Sequence, residues 1–403
     1  MSRPSLEVAD IIRRHGEDFL AIYGESISAD QKRLLDTLVA CRTAALGGHV
    51  DQCDQCDHVV VSYNSCRNRH CPKCQGGAIA EWLEARRADL LPTDYYHVVF
   101  TLLAELADLA LQNKKVMYDI LFRAASQTLL QIAADPKHLG VQLGFLAVLH
   151  TWGQTLHHHP HLHCVVPGGG LTADRSSWVA CRDGFLLPVR VLSSLFRGKF
   201  LALLQRAFAA GELHFHGSLA SLANPANFDA LLARVRSKNW VVYAKPPFGG
   251  PEQVLKYLAR YTHRVAISNS RLVGLQDGQV SFRWKDYANH DRHREMTLSA
   301  VEFIRRFLLH QLPSGFVRIR YYGFLANSTR ANSLATIRSL LEAGVPSPDS
   351  LVEPAETGSS LQRDAQAHLC PACGEGRMHL LCRLRPFETF TPLPPLRPSA
   401  PDT

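Results

Sequence analysis

Three groups of residues in this sequence have types and spacings that can do chemistry. The first is a pair of CxxC knuckles, Cys53-x2-Cys56 and Cys71-x2-Cys74, with 14 residues between them. Two knuckles supply four thiolates that can meet at one tetrahedral Zn2+, and such a metal gives a short polar segment the folding free energy it cannot draw from a core. Asp51, Gln52, Asp54 and Gln55 surround the first knuckle, a poor setting for ordinary buried cysteines. Cys41, His49, Cys66 and His70 lie close by, so Cys66 or His70 can replace one of the four or serve a second metal. Arg67 and Arg69 sit inside the same loop, where they suit phosphate contacts; a purely architectural zinc is the plainer alternative. Cys370-x2-Cys373, with His368, His379 and Cys382, reads equally as a degenerate knuckle or a real site.

The second group is His157-His-His-Pro-His161-Leu-His163, followed by Cys-Val-Val-Pro-Gly-Gly-Gly. Residues i and i+2 of a strand project from one face. His161 and His163 then point into one pocket while Leu162 packs behind them. Paired imidazoles suit a divalent ion such as Mg2+ or Mn2+ that keeps open positions for phosphate oxygens. HxH also occurs among ordinary histidines, but five histidines in seven residues favour a site.

The third group, Gln253-Val-Leu-Lys256-Tyr257-Leu-Ala-Arg260-Tyr261-Thr-His-Arg264, places two tyrosines on one face of a helix. A phenol needs a nearby cation or metal to act as a nucleophile, and Lys256, Arg260 and Arg264 supply positive charge and are expected to bind DNA. Tyrosines at i, i+4 are also common in plain amphipathic packing.

The elements that must hold these groups are legible in outline. Residues 6–22 and 30–46 read as amphipathic helices, and residues 49–77 lack helical periodicity. A short helix over 78–90 follows. Tyr95–Leu102 reads as a buried strand, 114–135 as a helix, and 140–151 and 161–167 as two strands joined by a His-rich turn. Residues 186–237 read as mostly helical with a break near 214–224, and Trp240–Ala244 as a strand. Pro251 opens the tyrosine helix. Asp277-Gly278 marks a hairpin between 265–275 and 279–287. Helices are expected near 299–311 and 328–343. The tail from residue 346 holds 10 of the 22 prolines and reads as extended or disordered. The expected division is a helical and zinc-binding domain over 1–91, a catalytic domain over 92–330 with a helical insertion over 186–237, and a C-terminal helix and tail over 331–403.

The 403 residues carry a net charge of +8, and the stretch 256–330 alone holds 13 Lys/Arg against five Asp/Glu. A polyanion such as DNA matches that concentration, since neutralised phosphates release counterions; a solvated basic face is the alternative. Eleven clustered cysteines point to metal or buried thiols rather than a disulfide framework. There is neither an apolar run of about 18 residues nor a signal-peptide core, so the reading is of an intracellular protein without membrane spans.

In their order along the chain, the cysteine module, HHHPHLHCVVPGGG and YLARYTHRVAISNSRL resemble the two-tyrosine HUH transposases of bacterial rolling-circle insertion sequences. The resemblance covers about residues 30–330 and extends to DYYHVVFTL, FRWKDY and EFIRRFLLHQLPSGFVRIRYYG. It implies an α+β fold: an HUH endonuclease core, with a central antiparallel sheet flanked by helices, behind a small zinc-binding domain. It implies His161 and His163 as ligands of a catalytic Mg2+ or Mn2+, and Tyr257 and Tyr261 as nucleophiles that nick single-stranded DNA through a 5′-phosphotyrosine and pass strands to a target. HUH sites add a third polar ligand; Gln154, His150 and His159 are candidates by placement, with Gln154 favoured. A bacterial, cytoplasmic, nucleoid-associated protein is expected. A replication initiator or relaxase shares this chemistry, but no GxxxxGK[ST] motif points to a helicase partner domain. A non-catalytic zinc-finger protein would leave the histidines and tyrosines without a role.

Overall fold

The strands expected at Tyr95, at residues 140–151 and at His161 form the middle of one antiparallel sheet, and their period of two decides what each face carries. A computed structural model of the chain describes residues 6–245, 253–254, 266–286, 289, 292–343 and 369–391. The elements are α1 (Val8–Tyr23), α2 (Ala29–Ala40), β1 (Gly48–Cys53), β2 (Val59–Tyr63), α3 (Gln75–Arg87), β3 (Tyr95–Thr101), α4 (Ala107–Gln112) and α5 (Lys114–Ala134). They continue with β4 (Gly144–Trp152), β5 (His158–Pro167), β6 (Gly169–Leu171), β7 (Trp178–Ala180), α6 (Val189–Ala209), α7 (Pro225–Arg236) and β8 (Val242–Lys245). Then come β9 (Leu272–Gln276), β10 (Gln279–Asp286), β11 (Arg292–Ser299), α8 (Ala300–Leu309), β12 (Ile319–Gly323), α9 (Arg330–Ala343) and β13 (Met378–Leu384).

The main sheet has the order β12-β4-β5-β3-β8, with every neighbouring pair antiparallel. One face is hydrocarbon. Val98, Phe100, Ala147, Leu149, Leu162, Cys164 and Val166 bury against α5, α6 and α7 through residues such as Leu121, Phe196, Phe200 and Phe228. The helices of 186–237 thus belong to the core that backs this sheet. Leu162 is fully buried there, as its position between two histidines requires. The opposite face carries Tyr95, Leu146, Val148 and Val165, packed with Val254, and beside them the histidines.

Start signals behave as their chemistry dictates. Ser28 caps α2, its hydroxyl accepting from Gln31 N–H at 3.2 Å while Gln31 Oε1 accepts from Ser28 N–H at 2.9 Å. Asn224 caps α7, with Pro225 in the first turn. Asp277 and Gly278 both take positive φ (48° and 70°), the conformation a two-residue hairpin turn of this hand needs. The helix expected over 30–46 stops at Ala40, because Cys41 turns to extended backbone (ψ 123°) and enters a thiol cluster.

Packing crosses both expected domain boundaries. Ile11, Ile12 and Phe19 of α1, with Leu34, Leu35 and Leu38 of α2, share one core with Val280, Phe282, Phe303, Ile304 and Phe307. The first 91 residues therefore do not close a core of their own; they need the hairpin and helix of residues 266–309. The tail also returns. β13 pairs antiparallel with β1, from Gly48 opposite Leu384 to Cys53 opposite Met378, making the three-stranded sheet β13-β1-β2. Among the described residues no helix is long and apolar enough to cross a membrane.

Candidate metal centre

Three imidazoles converge on the polar face of the main sheet. His161 and His163 alternate along β5, and His150 of β4 stands directly across from His161. Directly opposed residues of antiparallel strands share a face, with their Cβ atoms about 5 Å apart. Ring centroids are 4.2 Å apart for His150–His163, 4.8 Å for His161–His163 and 5.4 Å for His150–His161. One ring nitrogen from each lies within 4.8 Å of the others. Trp152 stacks on His150, centroids 4.6 Å apart, and closes one side.

Hydrogen bonds set how these rings present their lone pairs. His161 Nδ1 donates to the carbonyl of His159 at 2.6 Å, which leaves the Nε2 lone pair for a ligand. His163 Nδ1 and His97 Nε2 share a hydrogen bond of 2.7 Å, with the two rings parallel to within 3°. With His163 as donor in that bond, its Nε2 faces the cluster. Such outer hydrogen bonds fix tautomer and ring orientation at imidazole metal sites. Burial pushes His161 down to about 4 and His163 well below the ordinary histidine range, so both are neutral near pH 7, as metal ligation demands. With His150, three imidazoles in reach of one point fit a divalent ion.

His150 joins His161 and His163 in this cluster. Gln154 lies in the turn past Trp152, where its side-chain oxygen accepts from Lys285 N–H at 3.4 Å and its carbonyl from Arg271 Nη2 at 2.6 Å. His159 sits one strand repeat outside the group. His158 projects to the other face, its Nε2 bonded to Tyr118 Oη at 2.8 Å and its Nδ1 donating to Ala107 O at 3.1 Å. The histidine run thus divides between chemistry and core. The sequence marks His97 only as part of a strand; its spacing to His163 across the β3–β5 register is the signal that finds it.

The thiols do not meet at one point. Cys71 and Cys74 join Cys41 and Cys66, whereas Cys53 and Cys56 join Cys370 and Cys373. In the first set Cys41–Cys74, Cys41–Cys71 and Cys66–Cys74 sulfurs stand 3.4, 3.5 and 3.5 Å apart. Four ligands at about 2.3 Å from a tetrahedral zinc have edges near 3.8 Å, so this set fits structural zinc. The Cys66 and Cys71 thiols aimed at Cys41 hold it strongly toward thiolate. His70 stands outside both thiol groups. It is buried, its Nδ1 meets Asn68 Oδ1 at 3.2 Å and its Nε2 accepts from Leu312 N–H at 3.2 Å, and burial lowers it to about 3.

Arg69 is spent on structure as well, donating to the carbonyls of Phe316 and Pro313, each at 2.6 Å. Arg67 is exposed, with a positive φ of 50°. Tyr257, Tyr261, Lys256, Arg260 and Arg264 lie outside the described residues. Val254, three positions before Tyr257, is fully buried on the histidine face against Leu146, Val148 and Val165.

Comparison with known proteins agrees with this layout. Residues 11–102 match the family described as "Transposase zinc-binding domain", and residues 144–333 match that described as "Putative transposase". The chain is 56% identical over 386 residues to "Putative transposase y4qJ" of Sinorhizobium fredii, covering 94% of this chain and 95% of the relative. It is 28% identical over 318 residues to "Transposase for insertion sequence element IS801" of Pseudomonas savastanoi pv. phaseolicola, covering 77% and 74%. Among solved structures, the conjugative relaxase TrwC in complex with oriT DNA is similar at 15% identity over 60% of this chain and 71% of that one. Its TM-score of 0.25 supports no further statement. With a relative this similar along nearly its whole length, the chain belongs to the HUH transposases of bacterial insertion sequences that carry a transposase zinc-binding domain.

Proposed function

We propose that the chain nicks and rejoins single-stranded DNA at the ends of its element, with His150, His161 and His163 holding a divalent ion and Tyr257 and Tyr261 as nucleophiles. The observation that carries this reading is the convergence of three imidazoles on the same sheet face against which Val254 packs. Tyr257 follows Val254 by three residues, so chain length alone keeps their Cα atoms within about 11 Å.

A divalent ion held by His150, His161 and His163 would supply Lewis-acid stabilisation of charge on the scissile phosphate. Imidazole donors suit Mn2+ better than Mg2+, which prefers oxygen ligands. The protein supplies the rest. A tyrosine Oη loses its proton and attacks phosphorus, forming the phosphotyrosine bond. The P–O3′ bond breaks, and the departing oxygen takes up a proton to become a free 3′-OH. No bond energy leaves the system, so attack by a 3′-OH reverses the step and joins strands. The second tyrosine allows a second strand to be held during transfer. The positive stretch 256–330 and exposed Arg67 provide phosphate contacts that orient the strand.

The test is incubation of the purified chain with Mn2+ and 5′- or 3′-labelled single-stranded oligonucleotides spanning element ends. A covalent protein–DNA adduct carrying the 5′ phosphate is expected. It is lost in Tyr257→Phe/Tyr261→Phe, and in His161→Ala. Binding without adduct in the native protein, under conditions that load the metal, overturns the reading.

A further inference from the structure

We infer that Cys53, Cys56, Cys370 and Cys373 form a second zinc site, which clamps the end of the chain to its N-terminal ribbon. This goes beyond the transposase reading and does not depend on it. Half of the ligand set lies outside both matched regions, which end at residues 102 and 333.

The geometry is that of two facing knuckles. Cys56 and Cys370 sulfurs are 3.5 Å apart and Cys53 and Cys373 sulfurs 3.8 Å apart, with all four within 4.8 Å of one another. These are the edges of a tetrahedron of about 2.3 Å radius, and far longer than the roughly 2.05 Å of a disulfide. The two loops close in the same way. Cys53 N–H donates to His58 O at 2.9 Å, and Cys370 N–H to Gly376 O at 2.7 Å. Within them, backbone N–H groups point at sulfur: Gln55 to Cys53 at 3.4 Å, Ala372 to Cys370 at 3.4 Å and Gly376 to Cys373 at 3.3 Å. Donors of this kind stabilise thiolate, the form that binds metal.

The backbone around the thiols is built for this contact. Asp54 N–H donates to Arg377 O at 3.1 Å, and Arg377 N–H donates back to Asp54 Oδ1 at 2.9 Å. A Cβ on Gly376 would stand 2.4 Å from Cys53 Sγ, so only glycine lets the second knuckle close on the first. The β1–β13 pairing then continues away from the thiols as far as Gly48 opposite Leu384, and just before it a Cβ on Gly47 would meet Leu384 O at 2.5 Å. β13 exposes Leu380 and Leu381, so hydrocarbon burial contributes little to holding it. A metal supplies what the strand's own side chains do not.

The experiment is zinc counting on the full-length protein purified under reducing conditions without added metal. Cys53→Ser/Cys56→Ser and Cys370→Ser/Cys373→Ser are each expected to lose about one zinc per chain relative to the native protein. Because both halves hold one ion, the four-fold variant is expected to lose no more than either pair. Cys373→His is expected to keep the ion that Cys373→Ala loses. Cys382→Ser, on β13 but outside the group, is expected to change nothing. Equal zinc in the native protein and the paired variants, losses that add between the two pairs, or a Cys56–Cys370 disulfide in the native digest would each overturn the proposal. So would Cys373→His binding no more zinc than Cys373→Ala, an outcome that separates lost ligation from general misfolding.

Discussion

The histidine centre and the buried thiol centre are both sets of metal-ligating side chains, yet they are built in opposite ways. His150, His161 and His163 stand on two adjacent strands whose backbone is already paired and whose other face is packed with hydrocarbon. The scaffold exists without the metal. Cys41, Cys66, Cys71 and Cys74 come from a helix end and an irregular loop, and two of them, Cys41 and Cys71, sit in the core shared by α1, α2 and α8. There the metal replaces the scaffold. A ligand lost from the first centre should cost chemistry, and from the second, fold.

The largest expected effect tests that contrast directly. Cys71→Ser removes a buried ligand and leaves three thiols facing a polar hydroxyl, a change of the class that costs more than about 4 kcal/mol. Thermal unfolding followed by circular dichroism should show a drop of ten degrees or more, or no folded protein. His161→Ala should leave the melting temperature within a few degrees while reducing adduct formation by about 10² or more, the scale of losing electrostatic stabilisation of a reacting phosphate. A His161→Ala protein that melts as early as Cys71→Ser would erase the distinction.

A smaller effect sharpens it. His97 touches His163 and not the ligand point, so it is a positioning residue. His97→Ala should weaken Mn2+ affinity by about 10- to 100-fold, and saturating Mn2+ should restore most of the adduct. His97→Gln, which keeps a hydrogen-bonding group, should fall between the two. If excess metal restores nothing, His97 acts in some other way.

How far each centre was legible follows from the same difference. A period of two along one strand is local, so His161, His163 and the buried Leu162 were readable. His150 was not preferred over Gln154, because its place depends on the β4–β5 register, and that register shifts between His150 and Trp152. The thiol partition was unreadable in principle: Cys53 finds Cys373 across 320 positions, and spacing between knuckles carries no trace of a partner that distant. The same limit hid β11 and β13. β11, Arg-His-Arg-Glu-Met-Thr-Leu-Ser, is mostly exposed and held by backbone pairing to β10, so it lacks the apolar alternation that marks a strand. The packing across residue 91 was hidden for a related reason. The helices of α1 and α2 announce an apolar face but not what covers it, and that is the hairpin and helix some 250 residues later.

Acid should separate the packed interior from the metal centres. His310 is fully buried, its Nε2 donating to Leu156 O at 3.1 Å and its Nδ1 facing Thr151 Oγ1 at 3.3 Å. Burial pushes it down from the ordinary 6.5 to about 3. In the unfolded chain it takes up a proton near pH 6.5, and in the folded protein only near 3. Between those values the unfolded state binds more protons, so stability is full above about pH 6.5 and is lost as pH falls toward 3. His310→Gln should flatten the decline in melting temperature between pH 7 and 5, at the expense of a lower plateau. An unchanged slope would mean that other buried histidines, such as His158, carry the acid response.

The smallest expected effect concerns two arginines two positions apart in one loop. Both are expected as phosphate contacts and both are exposed, but Arg69 donates to the Phe316 and Pro313 carbonyls. A side chain held by two carbonyls cannot also reach a strand of DNA without breaking those bonds. Arg67→Ala should weaken single-stranded DNA binding a few-fold and lower the magnitude of the salt slope by about 0.7, the share of one phosphate on a single strand. Arg69→Ala should leave that slope unchanged and instead lower the melting temperature by loosening the 313–316 turn. The reverse pattern would put the nucleic acid on the other side of this loop, and would make the zinc-binding region an architectural support alone.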